Sequence, residues 1–201
     1  MLKNVLIFWT HGTLLYSRSY GIAKKDPHLV SGFLSAFSNF AKELGEKEIR
    51  AIQMHPHKIF MSIHQDLCFT ISLDQDDEEA QGELILQTLI NSFLAIFGVK
   101  LEPEVIYDLD TFNEFETMVD DLYIIKNFFE LIESTNKKLS LPDLQKMYEE
   151  KFGSSIPLTK CWQCLNFLVM NDAIVEVSEK RQIRYRKKGE LLKGLDLKFK
   201  K

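Results

Sequence analysis

The sequence lacks the features that would place it in several large protein classes. It has three cysteines, an odd number, so it offers no disulfide framework and fits a reducing cytoplasm. It has no run of 18 apolar residues, so no transmembrane helix is expected. Residues 1–9 are too short for a signal peptide and have no small-residue cleavage site. We therefore expect a cytoplasmic protein, with peripheral membrane attachment left open.

Catalytic and nucleotide-binding motifs are also missing. The sequence contains no Gly-x-Gly-x-x-Gly, no Gly-x4-Gly-Lys-Ser/Thr, no Gly-x-Ser-x-Gly and no His-Glu-x-x-His. Its nine glycines are scattered as turns and helix stops. Since no set of residues has the spacing of an active site, we expect neither enzyme activity nor a cofactor.

Two sets of residues have metal-binding side chains without the rest of a site. Cys161 and Cys164 form a Cys-x-x-Cys, but zinc needs about four ligands and no second pair is nearby. Burial of both side chains within a helix explains the two cysteines better than a zinc site does. His55, His57 and His64 flank one predicted hairpin and fit turn or surface positions. We therefore predict no metal site.

Charge is distributed unevenly along the chain, although the net charge is only −4. Residues 1–117 carry 9 Lys and Arg against 17 Asp and Glu, a balance of −8. Residues 118–201 carry 16 against 12, a balance of +4, and residues 180–201 alone have a balance of +8. This asymmetry favours two modules with different partners.

Local signals in residues 1–117 predict a sheet with packed helices. Two apolar runs, 4–9 and 13–19, flank a turn in which Gly12 can take a positive φ. Asp26 and Pro27 begin a helix, and Gly45 ends it. Three strands and a second helix follow, over residues 49–55, 58–64, 67–73 and 77–97.

The first predicted helix carries aromatic residues at helical spacing. Phe33, Phe37, Phe40 and Leu44 recur at intervals of 4, 3 and 4, so they share one face. Phe33 and Phe37 are candidates for a protein interface, although core positions would give the same pattern. Gly32 predicts close packing of this helix on the sheet.

Residues 1–117 resemble the longin and longin-like domains of membrane-traffic and small-GTPase-regulatory proteins. The resemblance rests on the element order, the Gly12 turn, the Ser-Gly-Phe of residues 31–33 and the Phe-Ala-Lys-Glu-Leu-Gly of residues 40–45. It implies an α+β fold with a five-stranded, antiparallel-rich sheet and packed helices. It also implies a protein without catalysis that binds GTPases, SNARE-like helices or sister longin subunits.

Residues 118–190 predict three helices followed by a β-hairpin, and residues 191–201 a basic tail. This order resembles a winged helix, in which the third helix enters the DNA major groove. Here that helix is largely apolar, and its few base-contacting candidates are Lys160, Gln163 and Asn166. A longin domain followed by a winged helix also resembles the smaller nitrogen-permease-regulator-like subunits of GTPase-activating complexes.

The predicted hairpin is basic and is the strongest candidate for an anion-binding or partner-binding site. Its six cationic residues are Lys180, Arg181, Arg184, Arg186, Lys187 and Lys188. They would bind nucleic-acid phosphates, anionic lipid headgroups or an acidic protein surface, and a solvated hairpin explains them equally well. Charge without polar reading groups gives no sequence discrimination, which favours a protein or membrane partner.

The sequence therefore predicts a non-catalytic adaptor or regulatory protein of membrane-traffic or small-GTPase type. It would bind a small GTPase or another longin- or roadblock-type protein, with a homo- or heterodimer as one outcome. The alternative is a winged-helix nucleic-acid-binding regulator that dimerises through the longin domain. The basic residues 180–201 favour that alternative, whereas the apolar third helix and a pI near 5.8 oppose it.

Overall fold

A computed structural model describes residues 1–20, 26–45, 49–98, 101–102, 105, 107–179 and 182–187. The chain divides into two compact units, Met1–Leu122 and Tyr123–Lys201. The strands are β1 (Asn4–Trp9), β2 (Leu14–Ser19), β3 (Ala51–Met54), β4 (His57–His64), β5 (Leu67–Asp74), β6 (Leu139–Ser140), β7 (Ile174–Glu179) and β8 (Gln182–Lys187). The α-helices are α1 (Pro27–Glu43), α2 (Glu79–Phe97), α3 (Asn113–Glu133), α4 (Leu141–Phe152) and α5 (Leu158–Met170).

The first unit is built on an antiparallel sheet with the strand order β2-β1-β5-β4-β3. The predicted mixed fold with a five-stranded sheet and packed helices is therefore confirmed. Each neighbouring pair has a defined register, with Leu6 of β1 opposite Thr70 of β5 and Phe60 of β4 opposite Ile71. Strand β5 lies at the centre, and β2 and β3 form the two edges.

Helices cover both faces of this sheet, which is why β5 is buried along its length. On one face the ring of Phe93 in α2 lies 5.5 Å from that of Phe69 in β5, and Phe115 of α3 lies 5.2 Å from Phe93. On the other face α1 contributes Leu34 to a separate apolar cluster. The other buried members of that cluster are Leu6, Phe8, Leu14, Met61 and Cys68.

Helix α2 is a core helix of the first unit. Among the described residues, it is long and apolar enough to cross a membrane by length and composition. However, Leu89 and Phe93 are fully buried on the sheet. A Cβ added at Gly82 would lie only 2.5 Å from the ring of Phe60, so glycine is needed where α2 crosses β4.

The second unit contains the end of α3, then α4, α5 and a hairpin. The three helices and the hairpin were predicted from the sequence. The two-residue strand β6 was not predicted, and it pairs with β8 to give the strand order β6-β8-β7. Helix α3 runs without a break through residue 122, where the first unit ends. The predicted domain limits at residues 117 and 190 stay predictions.

Candidate functional site

Local sequence signals at both ends of α1 determine where the helix begins and ends. The Asp26 carboxylate accepts a hydrogen bond of 2.9 Å from the amide of His28, and Pro27 lies in the first turn. Gly45 follows the helix with a φ of 87°, a conformation that favours glycine. These two signals set the bounds of α1 in the chain.

The side of α1 that packs on the sheet is made mostly of small residues. Its buried residues are Ser31, Leu34, Ser35, Ser38 and Ala41. The Ser31 hydroxyl donates to the carbonyl oxygen of Gly12 at 2.9 Å, and the Ser35 hydroxyl donates to that of Thr10. Both buried hydroxyls are therefore paired, and their small size lets α1 lie close to the β1–β2 turn.

The opposite side of α1 carries the large apolar side chains. The exposed fractions are 73% for Leu29, 57% for Phe33, 38% for Phe37, 57% for Phe40 and 67% for Leu44. We call these five residues the α1 stripe. The rings of Phe33 and Phe37 stack with centroids 6.1 Å apart. A surface helix normally buries its apolar stripe, so α1 is reversed, and exposed apolar patches of this kind mark interaction surfaces.

Gly32 does not have the role predicted for it. A Cβ added there would meet no atom within 4 Å, so the packing of α1 on the sheet does not require glycine at this position. At Gly12 an added Cβ would lie 3.5 Å from the Cα of Gly32, which is an ordinary contact distance, so space alone does not require glycine there either. Gly12 also has a φ of 101°, which most side chains rarely adopt.

A groove of about 910 Å³ lies beside the α1 stripe in the first unit. Leu29 and Phe33 belong both to the stripe and to the lining of the groove. Further apolar lining comes from Val30, Leu34, Met54, Ile59, Leu6 and Ile71, and small polar lining comes from Asn4, Ser17, Ser19, Thr70 and Ser72. The volume lies within the range of about 300–1,000 Å³ typical of ligand pockets. Sequence reasoning missed this groove, because its residues come from six separate elements, β1 to β5 and α1.

Two charged residues also line the groove, Asp26 and Arg18. Arg18 makes two hydrogen bonds to the carboxylate of Asp120, at 2.9 and 3.0 Å, and also contacts Glu116. Burial alone would lower the pKa of Arg18, but its contacts with Asp120, Tyr20 and Glu116 together outweigh burial and raise the pKa. Tyr20 donates to the same carboxylate at 2.6 Å. Since two carboxylates neutralise the Arg18 cation, the groove does not present a net positive charge.

Helix α5 buries its two cysteines and exposes apolar residues. Cys161 and Cys164 are 0% and 2% exposed, and burial raises the pKa of the Cys161 thiol. Trp162 is 51% exposed and Leu158, one turn earlier, is 45% exposed. The three base-contacting candidates differ in exposure: Gln163 is exposed, whereas Lys160 and Asn166 are half-buried.

The basic hairpin is only partly described. Arg184 and Arg186 are half-buried and share one face of β8, opposite Val177 and Val175. Lys187 points to the other face, and its ammonium lies 2.6 Å from the carboxylate of Glu133. The hydrogen bond from Lys138 lowers the pKa of Glu179, and the nearby Arg184 and Arg186 add to this. Lys180, Arg181 and Lys188 lie outside the described residues.

The three histidines His55, His57 and His64 do not lie close enough together to share a metal site. His57 and His64 are the first and last residues of β4, so about 23 Å of extended strand separates them. His55 precedes β4 and is exposed. Within the part of the chain that the structure describes, no group of three or more His, Cys, Asp or Glu side chains could hold a metal ion.

No protein-family model matches this chain, and no curated protein matches it. Among solved structures, a roadblock/LC7 domain from Streptomyces avermitilis is 11% identical with a TM-score of 0.41, covering 47% of this chain and 84% of that domain. Myxococcus xanthus MglB is 17% identical with a TM-score of 0.41, covering 49% and 85% of the two chains. A chain in a homology model of the full-length AP-3 complex is 15% identical with a TM-score of 0.42, covering 86% and 95%. These distant likenesses assign no function to this chain.

Proposed function

We propose that this chain is a cytoplasmic, non-catalytic adaptor that binds a protein partner through the α1 stripe and the adjoining groove. The partner is a small GTPase or another longin- or roadblock-type subunit, as the resemblance of residues 1–117 to longin domains implies. The observation that carries the proposal is the reversed burial of α1. Serines at 31, 35 and 38 face the sheet, whereas Phe33, Phe37 and Phe40 face solvent.

The reversal has a direct energetic consequence. Fully burying a large apolar side chain is favourable by about 1.5–3 kcal/mol relative to leaving it exposed, and the fold leaves part of this gain unused at the five stripe positions. A partner that covers the stripe recovers part of it. Aromatic side chains are also enriched among the residues that contribute most to protein interfaces.

The second unit is proposed to be a winged helix that binds proteins rather than reading DNA sequence. Its support is the order of three helices and a hairpin, together with the exposed Trp162 and Leu158 on α5. Nothing in the described residues favours the nucleic-acid alternative. Lys187 is paired with Glu133, and Glu179 lies beside Arg184 and Arg186.

A pull-down with purified proteins tests the leading proposal. Full-length chain is mixed with small GTPases loaded with GDP or a GTP analogue, and with longin- and roadblock-type proteins. Replacing Phe33 and Phe40 by serine is expected to weaken binding at least tenfold, because both rings are more than half exposed and lie on the stripe. Ile96→Ser is the control, since it removes an exposed apolar side chain of α2 that belongs to neither the stripe nor the groove.

The melting temperature of each variant shows whether it is folded. Absence of binding to every one of these proteins would refute the proposed function. Equal loss of binding in the Ile96→Ser control would show that any exposed apolar side chain contributes to binding and that the stripe has no special role.

The basic hairpin needs its own test. The double variant Arg184→Glu/Arg186→Glu reverses two charges on one face of β8, so it is expected to abolish binding to vesicles rich in phosphatidylserine or to an acidic partner. Unchanged binding to both would show that the hairpin is a solvated surface. A shift of a DNA duplex at low salt would instead revive the nucleic-acid alternative.

A further inference from the structure

We infer that the groove beside α1 binds a small uncharged amphiphile, with its hydroxylated head over strands β2, β1 and β5 and its apolar chain over β4 and β3. The inference goes beyond the proposed function, because its ligand is a small molecule and its site needs no protein partner. A monoacylglycerol, in which an ester joins glycerol to one acyl chain, is a compound of this class. Three features of the groove carry the inference: the polarity of its floor, the unused hydrogen-bonding groups there and the absence of a free cation among its described lining residues.

The floor of the groove is a row of residues across the sheet that changes from polar to apolar. Asn4 of β1 lies opposite Ser19 of β2 on one side and opposite Ser72 of β5 on the other. Ser72 in turn lies opposite Ile59 of β4, and the next strand, β3, contributes Met54 to the lining. Neighbouring strands lie about 4.8 Å apart, so the five strands span about 19 Å. An elongated ligand can therefore have its polar end over β2, β1 and β5 and its apolar end over β4 and β3.

The polar character of this floor is local to the groove. On the same face of the sheet, the cluster under α1 is apolar and includes Phe8 and Met61. Leu6 belongs both to that cluster and to the groove lining, and it lies opposite Ser17 and Thr70 on the neighbouring strands. A sheet face that packs in a core normally carries large apolar side chains. Small polar side chains at these positions leave the groove open and offer a ligand hydrogen-bonding groups.

Ser72 is the residue that points most directly to a ligand. It lines the groove and is only 8% exposed, so more than nine-tenths of it is buried. Among the described residues its hydroxyl group has no hydrogen-bond partner, and the same holds for the side chains of Asn4, Ser17 and Ser19. Buried polar groups in proteins are normally paired. A hydroxyl or carbonyl group of a ligand head would supply the missing partner.

The charges of the lining favour an uncharged head. Among the described lining residues Arg18 is the only cation, and its guanidinium group is held by Asp120 and Glu116. The only anion is Asp26, whose carboxylate accepts the capping hydrogen bond from His28 and is exposed to water. A carboxylate or phosphate head would therefore find no free cation in the lining, and the exposed Asp26 would hold a cationic head only weakly. A glycerol head carries no charge, and its hydroxyl groups both donate and accept hydrogen bonds.

Apolar side chains from α1 and the other end of the sheet would cover the chain of the ligand. Helix α1 contributes Leu29, Val30, Phe33 and Leu34 to the lining. Leu29 is 73% exposed, Phe33 57% and Met54 41%, so an apolar chain beside them would remove their surface from water. The volume of about 910 Å³ is sufficient, because pockets for small molecules measure about 300–1,000 Å³.

Calorimetric titration of the full chain with monocaprin, an uncharged glycerol ester, tests the inference. Caprate, the anionic fatty acid with the same acyl chain, is the matched probe, and both are used below the concentrations at which they form micelles. Monocaprin is expected to bind at least tenfold more tightly than caprate at pH 7, and to shift the NMR resonances of Ile59 and Ser72. Failure of the folded wild type to bind monocaprin would overturn the inference, and so would equally tight binding of caprate. The pull-down with GTPases contains no monocaprin, so it decides the proposed function whichever way this titration ends.

Two variants locate the ligand in the groove. Ser72→Ala removes a hydroxyl group from the floor and is expected to weaken monocaprin binding about three- to tenfold. Val30→Trp fills the groove from α1 without changing the stripe and is expected to abolish binding. Ser62→Ala is the matched control, because Ser62 lies on β4 opposite Phe69 and is not a lining residue.

Melting temperatures show which variants are folded. Ser62→Ala is expected to bind monocaprin as the wild type does. An equal loss of binding in Ser62→Ala and Ser72→Ala would overturn the inference, as would undiminished binding by a folded Val30→Trp chain.

Discussion

The hydroxyl group of Ser31 donates a hydrogen bond of 2.9 Å to the carbonyl oxygen of Gly12, which ties the first turns of α1 to the turn between β1 and β2. Ser31 is fully buried, and its hydroxyl also lies 3.0 Å from the carbonyl oxygen of His28. This contact holds α1 in the rotation that exposes its aromatic side. The position of the stripe therefore depends on a polar group on the other side of the helix.

Replacing Ser31 by alanine is expected to lower the free energy of unfolding by about 1–2 kcal/mol, because the carbonyl of Gly12 loses its buried donor. Urea denaturation at pH 7 measures this change. Asn39→Ala is the control, because Asn39 is exposed on the same helix and its removal is expected to change stability by about 0.5 kcal/mol or less. Equal effects of the two substitutions would show that the hydrogen bond contributes nothing.

Replacing Gly32 and Gly12 by alanine is expected to change the free energy of unfolding in opposite directions. Gly32→Ala is expected to raise the free energy of unfolding by about 0.5–1 kcal/mol, since the new methyl group meets nothing and alanine favours helix. Gly12→Ala is expected to lower it by about 1–2 kcal/mol, because of the φ of 101°. Thermal unfolding at low protein concentration measures both without a contribution from association. A stabilised Gly12→Ala variant would contradict the backbone geometry described here.

The capping box of α4 is expected to make stability depend on pH. The Ser140 hydroxyl donates to the Asp143 carboxylate at 2.6 Å, and this bond lowers the pKa of Asp143. A carboxyl group whose pKa is lower in the folded state stabilises the fold above its unfolded pKa of about 4, and this stabilisation is lost as pH falls through the folded value. Ser140→Ala is therefore expected to cost about 1 kcal/mol at pH 7 and less at pH 2.

NMR resonances of α4 in a urea titration, recorded at both pH values, report this unit of the chain. Asp143→Asn serves as the second variant and should remove the same pH dependence while keeping the shape of the side chain. An undiminished effect of Ser140→Ala at pH 2 would show that the carboxylate has no part in it.

The cysteines are expected to react slowly in the folded protein. Burial raises the pKa of the Cys68 thiol to about 12, although nearby Lys42 opposes this, and all three cysteines are buried. At pH 8 almost no Cys68 thiolate forms, and the thiolate is the reactive species. Alkylation followed by mass spectrometry should show labelling only after denaturation. Fast labelling of Cys161 or Cys164 under native conditions would contradict their burial.

Much of the first unit follows from short-range sequence signals. Gly12 determines the first turn, Asp26 and Pro27 begin α1, and Gly45 ends it. These signals act within a few residues, so they can be read without the rest of the fold. The strand β6 could not be found in the same way, because its two residues acquire strand geometry only by pairing with β8.

The direction in which α1 faces could not be predicted from periodicity alone. The aromatic spacing indicated one apolar side correctly, but periodicity normally implies that this side is buried. The evidence against burial lay in the other side, where Ser31, Ser35 and Ser38 recur at intervals of 4 and 3. The hydroxyl groups of Ser31 and Ser35 donate to carbonyl oxygens of the β1–β2 turn, which is a tertiary contact that periodicity does not report.

Leu29 and Phe33 belong to two surfaces at once, the α1 stripe and the groove. A molecule that fills the groove covers these two side chains, and a helix that packs along the stripe covers them as well. Two separate ligands, one in the groove and one along the stripe, would therefore compete, and at fixed protein concentration a higher concentration of one would displace the other.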